Sequence, residues 1–168
     1  MIQPDLALAR QLGAALSQRR QTVCAAESCT GGLFTSTLTD IDGSSAYVLG
    51  GVVSYSNAAK QIVLGVPEAT LIAHGAVSPQ TVEAMAQGAL RLFLADWAVA
   101  ISGIAGPGGS TPEKPVGLVY IACVGMGRVQ VARHQWSYDR LGNKAASVNA
   151  ALAMLYHAIH DDQERHDS

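Results

Sequence analysis

The chain has 168 residues, 49% of them hydrophobic and only 14% charged, with a formal net charge of −2. That length suits one domain with a buried core spanning 1–168, and the near balance of charge gives no electrostatic footprint for nucleic acid. No apolar run approaches a membrane span and no basic segment precedes an apolar core at the N-terminus, so a cytoplasmic protein without nucleic-acid or membrane partners is expected.

Leu6, Ala9, Leu12 and Leu16 recur at helical spacing after Pro4 and Asp5, which predicts a first helix ending in the polar run Gln18 to Gln21. Val23 to Ala26 reads as a short buried strand. It turns at Ser28 into a helix from about Thr30 to Thr39, with Leu33, Phe34 and Leu38 on one side and a break at Asp40 to Ser45. Tyr47 to Tyr55 predicts a second strand, in which Gly50 and Gly51 suggest a bulge or a close approach to the backbone. Ser56 or Asn57 then caps a short helix carrying Lys60 and closing at Gly65, and another short helix covers Glu68 to Ala73.

Ser78 and Pro79 open a helix in which Val82, Met85, Ala86, Ala89, Leu90 and Phe93 keep strict period. Trp97 to Ser102 predicts a third strand, followed by the glycine-rich run Ser102 to Gly109. Val116 to Val124 and Val129 to Trp136 read as an antiparallel hairpin about a tight glycine turn. Leu141, Ala145, Val148, Leu152, Leu155 and Ile159 line a closing helix. This alternation predicts an α/β fold: a mixed, mostly parallel five-stranded sheet with one antiparallel member and helices on both faces.

Ligands in such sheets bind beyond the carboxyl ends of the strands, where Ser28, Tyr55 with Lys60, and the Ser102 loop all fall. The first N–H groups of a helix stabilise negative charge, so Ser28 at that position outlines an oxyanion site; the plainer alternative is a capping serine. A serine hydroxyl needs a base, and Lys60, early in a helix and open to burial, is the candidate for a neutral amine. Tyr55 can relay a proton or orient that amine. Read singly, Lys60 is more readily a solvated surface lysine and Tyr55 a strand aromatic that packs. Cys29 is a competing nucleophile with no histidine in these stretches to serve as its base, and Glu27, pointing away from Ser28, reads as an anchor for a neighbouring loop.

The loop from Ser102 to Lys114 is neither a Walker A nor a dinucleotide fingerprint. It can still form an anion-binding concavity, or it is a turn stiffened by Pro107, Pro112 and Pro115. Cys24, Cys29 and Cys123 read as reduced thiols. His157, His160 and Asp161 lie in a polar terminal turn and are not read as a metal site.

Taken together, AESCTGG at 26–32, GSSAYVLGGVVSYSNAAK at 43–60, LGV at 64–66, HGAVS at 74–78 and SGIAGPGGSTPEKPVG at 102–117 closely resemble the nicotinamide-nucleotide amidase family, also known as the CinA C-terminal domain family. The resemblance implies a three-layer α/β/α domain that hydrolyses the carboxamide of nicotinamide mononucleotide to nicotinic acid mononucleotide and ammonia, in pyridine nucleotide salvage. It implies no cofactor and no metal, and homo-oligomers, dimers in particular. Carried onto this chain, Ser28 is the nucleophile, Lys60 its base and Tyr55 an assistant. Thr30, Gly31, Ser102, Gly103, Gly106, Gly108 and Arg140 are the expected substrate-binding residues.

One region departs from the family pattern. Arg140 is kept, but Lys144 stands where a second arginine is usual, giving a point charge in place of a bidentate fork. A non-catalytic nucleotide-binding module and an amidase for a different small amide are the alternatives at this level.

Overall fold

The computed structural model describes residues 1–166. In chain order it forms α1 (Leu6–Arg19), β1 (Val23–Glu27), α2 (Leu33–Thr39), a 3-10 turn (Ser44–Ala46), β2 (Val48–Val53), α3 (Asn57–Leu64), α4 (Glu68–His74), α5 (Pro79–Phe93), β3 (Trp97–Gly103), β4 (Leu118–Gly125), β5 (Arg128–Gln135) and α6 (Arg140–His166). The sheet order is β2-β1-β3-β4-β5. β1 pairs in parallel with β2 and β3, while β3–β4 and β4–β5 are antiparallel. The α/β reading and the mixed sheet with one antiparallel member, β4, hold, but β4 lies inside the sheet, so half of the ladders are antiparallel rather than the smaller share a mostly parallel sheet would have. The cause is the hairpin, which adds an antiparallel ladder on each side of β4.

Every residue of β1 is buried, and strand alternation sends its side chains to two cores. Val23 and Ala25 join the core built with α1, α2 and α6, whereas Cys24 and Ala26 join the one built with α3, α4 and α5. The second core is lined on the sheet side by Ala98, Ala100 and Ala122, small residues that let α5 lie close to the strands. Gly88 of α5 continues this economy of space: a β-carbon there would collide with the Leu64 carbonyl at the end of α3. That contact sets the seat of α3, and with it Lys60. The two glycines of β2 serve the same end, since Phe93 occupies the space beside Gly50 and Thr35 the space beside Gly51. The register shift between Val23 and Cys24 on the opposing strand is the expected irregularity.

Asp5 accepts from the Leu8 N–H at 2.9 Å to cap α1, and Ser78 accepts from the Thr81 N–H at 3.1 Å to cap α5. α2 is capped differently. It begins at Leu33 rather than Thr30, and the buried carboxylate of Glu27 reaches into its first turn. Oε2 accepts from Thr30 Oγ1 at 2.6 Å, Gly32 N–H at 3.1 Å and Phe34 N–H at 3.0 Å; Oε1 accepts from Thr35 N–H and Thr35 Oγ1, both at 2.8 Å. Five donors at a helix N-terminus fill the hydrogen-bonding capacity of one buried carboxylate. Glu27→Ala leaves those donors unpaired in a dry interior and is expected to destabilise the fold by about 3 kcal/mol or more, at roughly 1–3 kcal/mol for each unsatisfied group. Glu27→Gln, with one acceptor oxygen and a misplaced NH2, is expected to lie between alanine and wild type. Chemical denaturation of the two variants checks both.

Candidate active site

Ser28 prolongs β1 by one residue: its N–H donates to the Ile101 carbonyl at 2.9 Å and its own carbonyl accepts from the Gly31 N–H at 3.1 Å. The serine is therefore held by the sheet, not by the start of a helix. The N–H groups of Gly32, Phe34 and Thr35 at the start of α2 serve Glu27 instead. Those three N–H groups of the helix N-terminus are accordingly taken by a neighbouring carboxylate.

Lys60 lies in α3, whose N-cap Ser56 accepts from the Ala59 N–H at 3.1 Å. The lysine is completely buried. Its Nζ lies 3.0 Å from Ser28 Oγ, 2.7 Å from the Ser54 carbonyl and 3.5 Å from the Tyr55 carbonyl. An ammonium donates three hydrogen bonds; a neutral amine donates two and keeps one lone pair. The two carbonyls suit the donors of the amine, and Ser28 Oγ–H then faces the lone pair. Burial pulls the Lys60 pKa below the ordinary 10.5, with the neighbouring Cys29 pulling weakly the other way. That opposing influence needs a thiolate, and burial pushes the Cys29 thiol up to about 12. Cys29 is thus a neutral, nearly enclosed thiol, the opposite of the lowered pKa that a reactive cysteine requires.

Ser28 and Lys60 open onto a cavity of about 270 Å³. Of the expected residues, Tyr55, Ser102, Gly103, Gly106, Gly108 and Arg140 also line it. Ser102 is buried and its hydroxyl donates to the Ala76 carbonyl at 2.7 Å, which ties β3 to the turn before α5. Arg140, at the start of α6, donates from Nη1 to the Gly106 carbonyl at 2.6 Å and from Nη2 to the Tyr55 hydroxyl at 3.1 Å. Asn143 Nδ2 adds a bond to the Ala105 carbonyl at 3.0 Å. The glycine loop is thus pinned by one turn of α6.

Tyr55 stands at the rim of the cavity, 63% exposed. Its phenol meets Arg140 rather than the lysine, and only its carbonyl faces Lys60 Nζ. Thr30 and Gly31 are not among the residues lining the cavity. Thr30 is buried with its hydroxyl on Glu27, and Gly31 lies outward, near Lys144 Nζ. Lys144 borders a different recess, with Met1 to Pro4 and Leu33, so the departure from the usual arginine does not fall on this cavity. Lys114 bonds the His74 carbonyl at 2.7 Å, strapping the long loop to the end of α4.

Two wall residues, Ala76 and Val77, were given no role by residue chemistry. The stretch HGAVS that contains them was the available signal, but apolar side chains carry no mark of proximity to a site. His160 Nδ1 lies 2.8 Å from the Tyr156 carbonyl with its ring on that tyrosine, and Asp161 lies 3.9 Å from Arg128. Among the described residues no helix is long and apolar enough to cross a membrane.

The family model described as the CinA C-terminal domain matches residues 5–159. A protein of Enterobacter agglomerans called nicotinamide-nucleotide amidohydrolase PncC is 49% identical over 155 residues, covering 92% of this chain and 93% of that protein. A CinA-like protein of Desulforapulum autotrophicum is 47% identical over 151 residues, covering 89% of this chain but 36% of its own length. The chain likewise spans 36% of a putative competence-damage inducible protein of Moorella thermoacetica, so it corresponds to about a third of these longer relatives. Among solved structures, the competence/damage inducible protein CihA of Agrobacterium tumefaciens superposes with a TM-score of 0.91 at 44% identity, covering 95% of this chain and 99% of that one. A CinA superfamily protein of Klebsiella pneumoniae gives 0.90 at 36% identity, covering 93% and 98%.

Proposed function

Because the chain belongs to the CinA C-terminal domain family, we propose that it is an amidase which hydrolyses nicotinamide mononucleotide to nicotinic acid mononucleotide and ammonia, with Ser28 as nucleophile and Lys60 as base. The observation that carries the reading is the 3.0 Å contact between Ser28 Oγ and a completely buried lysine nitrogen. The name of the Enterobacter relative, which matches almost end to end, supports the substrate.

Ser28 Oγ attacks the carboxamide carbon and passes its proton to Lys60 Nζ, forming the O–C bond and placing the negative charge on the carboxamide oxygen. The N–H of Cys29, the residue after the nucleophile, is the candidate backbone donor for that oxygen. Lys60 returns the proton to the amide nitrogen, the C–N bond breaks, and ammonia leaves an ester on Ser28. Water then attacks the ester carbon, delivering a proton to Lys60. The ester C–O bond breaks, Ser28 recovers that proton, and the nicotinic acid product departs.

At the other end of the cavity, Arg140 has guanidinium donors beyond the two already bonded, and Gly106 and Gly108 let the backbone approach closely; these suit the 5′-phosphate. A cavity of about 270 Å³ lies at the lower end of ligand pockets, which suits one nucleotide rather than a dinucleotide. Arg140→Ala is expected to raise KM for nicotinamide mononucleotide about 10- to 100-fold, equivalent to one charge-assisted hydrogen bond, with a smaller effect on kcat. Steady-state kinetics with the nucleotide and with the free nicotinamide base separate the two, since the base has no phosphate to lose.

The deciding experiment is ammonia release from a panel of amides, with nicotinamide mononucleotide expected to be the preferred substrate. Tight calorimetric binding of the nucleotide without ammonia release overturns the amidase and leaves a binding module. Preferred release from another amide overturns the substrate and keeps the chemistry.

A further inference from the structure

Ser54 follows β2, and its N–H donates to the Glu27 carbonyl at 2.9 Å. With Glu27 opposite Val53 in the β1–β2 register, Ser54 comes beside Ser28, on the side of the sheet that faces α3. It is completely buried. Its carbonyl takes the shortest bond from Lys60 Nζ, at 2.7 Å, yet its hydroxyl has no hydrogen-bond partner among the described residues. A buried hydroxyl without a partner is unfavourable, and alanine would fill nearly the same space without that cost.

The proton count on Lys60 supplies a use for it, on the Ser28–Lys60 reading given above. In the resting site the neutral amine spends its two N–H groups on the carbonyls, and only a charged Lys60 would need Ser28 Oγ as a third acceptor. Once Ser28 is bonded to the acyl carbon, its oxygen is that of an ester, a poor acceptor. The ammonium formed in each half-reaction then has only the Ser54 carbonyl and the distant Tyr55 carbonyl, 3.5 Å away. The residue whose carbonyl already holds that nitrogen also carries an unengaged hydroxyl.

We propose that Ser54 is a positioning residue for the base: its hydroxyl accepts a Lys60 N–H whenever Ser28 Oγ is committed to the substrate, holding the ammonium in place until its proton is delivered. The ionisable groups around this nitrogen are few. The turn after β1 contributes the Cys29 thiol, and Tyr55 and Arg140 stand on the rim of the same cavity. α5 contributes Val82, Met85, Ala86 and Ala89 to the core shared with α3, and its buried Thr81 hydroxyl is spent on the Gly75 carbonyl. Ser54 is therefore the neutral acceptor whose loss the amine feels without a change of charge nearby.

The test pairs kinetics with a titration that needs no turnover. The chain has three lysines, so lysine-labelled protein followed by NMR resolves Lys60. In the Ser28→Ala background, where the competing acceptor is gone, adding Ser54→Ala is expected to lower the Lys60 pKa by about one unit, because the charged form loses a partner. With Ser28 present, Ser54→Ala is expected to lower kcat about tenfold, a barrier increase on the scale of one hydrogen bond, with KM within about twofold. Ser54→Thr, which keeps the hydroxyl, restores both. An unchanged Lys60 pKa overturns the proposal, as does a threonine variant that behaves like alanine, or a lost kcat that tracks only a lower melting temperature. If the wild-type protein releases no ammonia, the amidase reading fails while the titration still decides the role of Ser54.

Discussion

Ser28→Ala is expected to reduce ammonia release from nicotinamide mononucleotide by about 10⁴-fold or more, the scale seen when the nucleophile of an acyl-transfer site is removed, while nucleotide binding survives. The expectation follows from how the serine is held. Both backbone bonds of Ser28, to Ile101 and from Gly31, are independent of its side chain, so alanine leaves the turn intact. Only the contact with Lys60 Nζ disappears. Calorimetric binding of the nucleotide should stay within a few-fold of wild type, and the melting temperature should hardly move. Wild-type turnover by Ser28→Ala removes the serine from the mechanism, and with it the covalent intermediate.

Lys60→Met should abolish turnover to a comparable extent and at the same time change how stability depends on pH. An ordinary lysine with a pKa of 10.5 is neutral to only about 0.03% at pH 7, so the depression caused by burial is what makes it a usable base. The acid side of the rate profile should fall as the amine protonates. Stability carries the complementary signal. The folded-state pKa lies below the unfolded value, so the unfolded chain binds more protons and wild-type stability rises with pH between the folded value and 10.5. Methionine has no such titration. The variant's stability relative to wild type is therefore greatest at acid pH and shrinks as pH rises. Loss of the Ser54 carbonyl's donor opposes this by about 1–3 kcal/mol, a constant offset that leaves the slope untouched. Denaturation curves at several pH values measure it, and parallel profiles for the two proteins contradict a buried neutral amine.

Much of the fold was legible because periodicity reports burial directly. The apolar positions of α5, from Val82 to Ala89, were read at 3.6-residue spacing and are buried in the structure. The Ser78–Pro79 start and the run of small residues in β1 were equally plain. α2 was read three residues too long at its start, because capping there comes from Glu27, a preceding strand residue, and not from a local serine. The balance of the sheet was misread for a related reason: a hairpin signal shows that two strands are antiparallel to each other, but not how the first of them pairs with an older strand.

The candidate site divides along the same line. Residue types and spacing nominated Ser28, Lys60 and the glycine loop as candidates beside plainer readings, and the family resemblance gave them their expected roles. The chemistry available to each depends on which hydrogen-bonding capacity is already filled, and most of those partners lie far along the chain. Thr30 is withdrawn from the cavity by Glu27, Tyr55 is turned to Arg140 across 85 positions, and Lys114 is held by His74 across 40. Composition and periodicity determined an α/β domain with its strand ends gathered at one edge. Tertiary structure alone decided which donors and acceptors remain free there, because a hydrogen bond is set by distance in space, while sequence pattern records only which side of an element is dry.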